Sequence, residues 1–210
     1  MPIAPPDPTA LASAIAARLC HDFVGPAGST VAGLDILADS PSEDLRGAAM
    51  EMIDDGARRL LALIEFSRVA FGAAEEVFDT GTLETLARDM FAPRRPTLDW
   101  AVETRTLDGP AARTLLNLVG IAADALAVGG TARAWSELRG GKTFLGVDAI
   151  GPRAKLYPEV LGGLTGEARG DGPGGRWAQA CFVHATVAAA GGETGATAGE
   201  AGITFWATFA

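Results

Sequence analysis

Leu11, Ile15, Leu19 and Phe23 recur every fourth residue, a spacing that a helix gathers into one apolar stripe. Residues 8–38 read as one long helix, softly broken at Gly25-Pro26, because Pro26 removes a backbone donor. Its second half carries Val31, Leu34 and Leu37. The string Ser40-Pro41-Ser42-Glu43 then reads as a capping box with proline at the first helical position. The second helix runs to about Phe71, with Leu45, Ala49, Met52, Gly56, Leu60 and Leu63 at near-heptad spacing and Glu51, Asp54, Asp55 and Arg58 opposite. Two such helices joined by a short loop form an antiparallel hairpin. A hairpin alone cannot bury both stripes. Either two copies pair as a dimeric four-helix bundle, which is the expectation, or the hairpin packs against the rest of its own chain.

Composition changes after Gly72-Ala73-Ala74, so residues 1–74 and 75–210 are expected to be separate units. From Val77 onward, helix and strand patterns alternate. Leu83 to Phe91, Pro110 to about Val128, Pro158 to Leu164 and Trp177 to Ala190 read as helices. Thr97 to Arg105, Ala132 to Arg139, Thr143 to Asp148 and Ile203 to Phe209 read as strands, the middle two joined at Gly140-Gly141 as a hairpin. Gly170 to Gly175 reads as a flexible loop. Helices mixed with paired strands give an α/β sandwich, one sheet covered by helices.

Bulk properties narrow the function. With 48% hydrophobic and 20% charged residues, the chain is globular rather than disordered. No apolar run reaches membrane-span length, and Met1 to Asp7 carry neither a basic nor an apolar leader, so a cytoplasmic protein without a membrane partner is expected. A net charge of −9, with Lys142 and Lys155 the only lysines, argues against nucleic acid as a ligand. An acidic partner must then be met by local arginines such as Arg18, Arg58 and Arg59. Cys20 and Cys181 have neither metal-ligand nor disulfide spacing, and Cys20 reads as a small packing residue.

One residue stands out chemically. His21 lies roughly 140° from the centre of the stripe on the first helix, facing solvent. A neutral imidazole held there can attack a phosphoryl group. Asp22 can accept a hydrogen bond from one ring nitrogen and leave the other free; the plain alternative is a solvated surface carboxylate. His184 sits among apolar residues and reads as structural, and Trp100, Trp135, Trp177 and Trp206 read as core.

A histidine followed by an acid, with proline five residues after the histidine, on a hairpin that precedes an α/β domain, resembles sensor histidine kinases. Within that class, Leu19-Cys20-His21-Asp22 to Leu37 and Phe66-Ser67-Arg68-Val69-Ala70-Phe71-Gly72 look most like ChpT-type histidine phosphotransferases of the alphaproteobacterial cell-cycle phosphorelay. The resemblance implies a homodimer with a degenerate, kinase-ATPase-like (Bergerat) second domain. It implies that Nε2 of His21 relays a phosphoryl group from the receiver aspartate of a CckA-like hybrid kinase to CtrA-like and CpdR-like response regulators. Mg²⁺ is expected on the receiver and no cofactor on this chain. Asp22 would assist His21, and Arg18, Gly25 and Ser29 would contact the receiver.

The second domain departs from the kinase pattern. In Asn117-Leu118-Val119-Gly120-Ile121, Asn117 matches the first of two kinase asparagines, and Ile121 replaces the Mg²⁺ ligand. Asp148 survives from the adenine-binding box, but Ala149-Ile150 supply no glycine. Gly172-Pro173-Gly174-Gly175-Arg176-Trp177 keeps glycines yet adds a proline and a tryptophan where a phosphate loop would open a helix. ATP binding is therefore expected to be lost. The rivals are a kinase with an atypical nucleotide site and a non-catalytic dimeric adaptor.

Overall fold

The computed structural model describes residues 7–39, 42–73, 77–167 and 174–210. Helix α1 (Pro8–Ala38) is capped by Asp7, whose carboxylate accepts from the Thr9 N–H, and helix α2 (Glu43–Ala70) returns antiparallel to it. The helix runs unbroken through Pro26, contrary to the expected break. The second helix also starts later than expected, with Ser42 as N-cap and Glu43 as first helical residue; Ser40 and Pro41 lie outside the described residues.

Two glycines bring the hairpin's axes together. A Cβ on Gly33 would meet Ile53 Cγ1 at 2.7 Å and the Ala49 carbonyl at 2.9 Å. A Cβ on Gly56 would meet Thr30 Oγ1 at 2.5 Å and the Pro26 carbonyl at 2.8 Å. Ala49 and Gly56 of the near-heptad set on α2 therefore face α1, whereas Leu45 is exposed and Leu63 packs against the core of the second domain. The first turns of α1 are covered differently: Leu11, Ala14 and Ile15 pack on Trp177, Ala178 and Cys181 of the chain's own second domain. For this part of the stripe, packing against the same chain is the outcome.

The second domain opens with β1 (Phe78–Asp79) and α3 (Thr80–Phe91), followed by β2 (Thr97–Val102), β3 (Thr106–Leu107) and α4 (Gly109–Ala125). The hairpin strands β4 (Thr131–Arg139) and β5 (Lys142–Ile150) lead to α5 (Pro158–Leu164) and α6 (Gly174–Ala189), and β6 (Glu193–Gly199) and β7 (Gly202–Phe209) close the chain. The main sheet has order β2-β4-β5-β7-β6, with β2 parallel to β4 and the other pairs antiparallel. Strand β6 was not foreseen: Thr194-Gly195-Ala196-Thr197-Ala198-Gly199 is made of small residues without an apolar alternation.

Leu145, Val147, Ala149, Ile203, Phe205 and Ala207 point from the sheet to the helices and meet α4, nearly all of which is buried. Trp177 is buried and Trp100 packs half-buried against the core, but Trp135 and Trp206 do not enter it. They lie on the opposite face of the sheet, in register with glycines in the row Trp135, Gly146, Trp206, Gly195. The missing Cβ at Gly146 and Gly195 makes room for the indole of the neighbouring strand. Cys20 is exposed, not a packing residue. Among the described residues, no helix is long and apolar enough to cross a membrane.

Candidate functional site

His21 stands on the outer side of α1 with its side chain 88% exposed, and its Nδ1 lies 3.2 Å from Oδ1 of Asp22. A carboxylate only accepts, so a neutral imidazole in this contact carries its proton on Nδ1 and presents the lone pair of Nε2. Pro26 has no N–H to give the Asp22 carbonyl four residues earlier, so the helix ladder lacks one bond directly beside the histidine.

Arg18, one turn before His21, was expected to be a docking cation. Its side chain is 15% exposed, and its guanidinium is bonded within the chain. Nη2 reaches Oδ2 of Asp124 near the end of α4 at 3.0 Å, Nη1 donates to the Gly175 carbonyl of α6 at 3.3 Å, and Nε lies 3.6 Å from Oδ2 of Asp22. Asp124 Oδ1 also accepts from Arg94 Nη1 at 3.1 Å, on the turn between α3 and β2. Sequence reasoning missed Asp124 and Arg94. The available signal was that Asp124 is the single acid in the long apolar run of α4.

These residues form one wall of a cleft of about 790 Å³ between α1 and the second domain, bordered by His21, Asp22, Arg95 and Arg176. Arg176 stacks over the Tyr157 ring at 4.0 Å. A second groove of about 330 Å³ continues along α1 past Asp22, Gly25, Pro26 and Ser29, bounded by Arg59 of α2 and Met90 of α3. The five residues singled out from the sequence therefore lie along one side of α1. Arg18 and His21 line the first depression, Gly25 and Ser29 the second, and Asp22 both. Among the described residues, nothing lies within 4 Å of a Cβ built on Gly25, so the backbone is open to approach there.

The nucleotide-like positions of the second domain have turned into packing. Asn117 is fully buried, and its Nδ2 donates to the Ala70 carbonyl at 2.7 Å and the Arg113 carbonyl at 2.9 Å. Its Oδ1 accepts from Gln179 Nε2 at 3.2 Å. The amide thus ties the end of α2 to α4 and α6. Ile121 is buried and aliphatic. Asp148 alternates with the core-facing residues of β5, so it points to the sheet's outer face, where it accepts from Thr204 Oγ1 at 2.7 Å. These side chains do not fit a Mg²⁺–nucleotide complex: the asparagine is occupied, the second ligand is absent and the aspartate faces the other way. Of the glycine-rich stretch, Gly174 and Gly175 begin α6, and Gly172 and Pro173 lie outside the described residues. His184 is structural as expected, with Nδ1 at 3.0 Å from the Leu164 carbonyl.

Comparison with known proteins agrees with this architecture. Residues 80–202, more than half of the chain, match the family model for the histidine phosphotransferase C-terminal domain. A solved bacterial phosphotransferase superposes on 96% of this chain and 97% of its own at a TM-score of 0.84, with 26% identity. The protein phosphotransferase ChpT of Brucella abortus (strain 2308) is 31% identical over 124 residues, so the match spans 58% of that curated relative and 58% of this chain. The catalytic domain of histidine kinase ThkA shares the fold at 17% identity and a TM-score of 0.50, over 64% of this chain and 93% of that one. The chain belongs to the histidine phosphotransferase family.

Proposed function

We propose that this chain relays a phosphoryl group between receiver domains through His21. The observation that carries the reading is an imidazole 88% exposed on a rigid helix, with Nδ1 engaged by Asp22 and Nε2 without a partner among the described residues. Nε2 attacks the phosphorus of a receiver's aspartyl phosphate, and the P–O bond to the aspartate breaks as that carboxylate leaves. The Nδ1 proton stays on the ring, where Asp22 stabilises the positive charge of the phosphoimidazole. Transfer to a second receiver reverses these steps. The receiver supplies Mg²⁺, and this chain supplies a nucleophile held in line and a surface on which to dock. Following the resemblance, the donor is the receiver of a CckA-like hybrid kinase and the acceptors are CtrA-like and CpdR-like regulators.

Gly25 and Ser29 bound the groove next to His21, where a receiver element can approach the α1 backbone closely. The second domain acts without ATP. The working unit is a homodimer, because the hairpin leaves an apolar strip uncovered: Val24, Val31 and Leu34 on α1, and Met50, Leu61 and Ile64 on α2. Pairing these strips in a four-helix bundle removes them from water.

The test is transfer of radiolabel from a phosphorylated receiver. His21→Ala abolishes labelling, a loss of about a thousandfold or more, because the receiver's phosphoryl group then meets no imidazole nitrogen at this position of α1. An acid-labile, base-stable phosphate persisting on the variant would overturn the assignment, and labelling by Mg²⁺-ATP alone would favour the kinase rival.

A further inference from the structure

We propose that Asp124, a residue of the second domain, is a positioning residue for His21, acting through Arg18 and Asp22. The inference deepens the phosphorelay reading and rests on it for its kinetic part.

Neighbouring side chains on a helix diverge by about 100° and do not ordinarily face each other. The 3.2 Å contact between His21 and Asp22 therefore needs something that holds the carboxylate in place. Arg18 lies four residues before Asp22 and three before His21, so these three side chains share one turn of α1. A lone surface pair of this kind is weakly held, because both side chains lose rotamer freedom in forming it. Here the guanidinium is not free to wander. Two of its nitrogens are fixed by the second domain, Nη2 on Asp124 and Nη1 on the Gly175 carbonyl, which leaves Nε to face Asp22.

Asp124 is itself fixed from behind by Arg94. Both oxygens of each carboxylate are then used, in one chain of contacts: Arg94, Asp124, Arg18, Asp22, His21. The planar guanidinium fork suits such a chain, since it sets the angle between its partners as well as their distance. The second domain thereby sets which ring nitrogen of His21 carries the proton, although none of its residues on this chain of contacts touches the ring.

The test is the tautomer of His21, read by ¹⁵N NMR in alkaline solution, where the ring signals no longer change with pH. The protein has only two histidines. The second, His184, donates from Nδ1 to a carbonyl far from this cluster and serves as an internal control. The wild-type ring of His21 is expected to be mainly Nδ1-protonated. Asp124→Asn shifts it toward the Nε2-protonated form and leaves His184 unchanged. With a receiver domain phosphorylated by acetyl phosphate as donor, the same variant lowers the maximal transfer rate about tenfold and changes the half-saturating receiver concentration less than twofold. Asp22→Asn has the same effect, and the double variant is no worse than Asp22→Asn alone, because both act through one contact. Arg18→Lys, which keeps the charge but cannot bridge the same partners, gives the same tautomer shift and covers the case in which Asp124→Asn folds poorly.

An unchanged His21 tautomer in Asp124→Asn and Arg18→Lys overturns the inference, as does a double variant whose losses multiply. Phosphate on His21→Ala would instead overturn the phosphoacceptor reading and leave the tautomer result to stand by itself.

Discussion

Helices α1 and α4 are each mostly small and apolar in composition, yet the structure uses them in opposite ways. Of the 31 residues of α1, Gly33 alone is buried, so most of its side chains are available for contact with something outside the chain. Of the 17 residues of α4, 14 are buried, so nearly every one is committed to packing. The polar residues follow the same division. His21 on α1 points to solvent with one ring nitrogen open, whereas Asn117 on α4 has every amide proton and its oxygen engaged among α2, α4 and α6. Asn117, which matches the first kinase asparagine in sequence, is part of a buried hydrogen-bond network here. The relay proposed for His21 sets the opposite requirement, because it depends on exposure.

The largest expected effect that would break this contrast concerns the uncovered strip of the hairpin. Val31→Glu combined with Ile64→Glu places charge on residues that are 55% and 44% exposed in the single chain. If the strip is a dimer seam, sedimentation measurements should show dimer association weakened by at least about a hundredfold, toward monomer, since unpaired charges would be buried. The melting temperature of the second domain should scarcely change. A wild-type chain that sediments as a monomer at micromolar concentration would show that the strip serves another partner.

A smaller effect sharpens the contrast between the two polar sites. Ile121→Asn rebuilds the asparagine pair of a kinase in sequence, but it adds an amide to a buried position with no partner provided. It is expected to cost about 2–4 kcal/mol in denaturant unfolding and to restore no ATP binding by calorimetry, because Asn117 stays bound to Ala70, Arg113 and Gln179. His21→Ala, on the exposed side of α1, should change stability by less than about 0.5 kcal/mol. Micromolar ATP affinity in Ile121→Asn would show that the buried network opens more readily than its hydrogen bonds suggest.

The smallest effect uses the two cysteines as reporters of the two environments. Cys20 is exposed on α1, whereas burial between α6 and α1 raises the Cys181 thiol to about 11. Thiolate is the reactive form, so at pH 8 a thiol reagent should label one cysteine rapidly and the second only as the fold opens. Equal labelling rates would mean that α1 separates from α6 easily in solution.

Much of this molecule was legible in its sequence. The four-residue spacing of Leu11 to Phe23 fixed a helix, and with it the side on which His21 stands, because helical geometry relates residue number to direction without reference to the rest of the chain. The lack of a metal-ligating side chain at Ile121 was visible, since an aliphatic side chain binds no metal in any fold. The fate of the polar residues was not visible. Arg18 reads as a free cation until Asp124, 106 residues away, is brought to within 3.0 Å of it. Asp148 reads as a survivor of a binding box until the pleat of β5 turns it to the outer face, and Trp135 and Trp206 read as core until the register sets them over glycines on that same face. Periodicity determines which way a side chain leaves its own helix or strand, and the sequence carries that in full. What it then meets depends on contacts between distant segments, whose geometry is set only when the sheet and helices pack, and that was left to the tertiary structure.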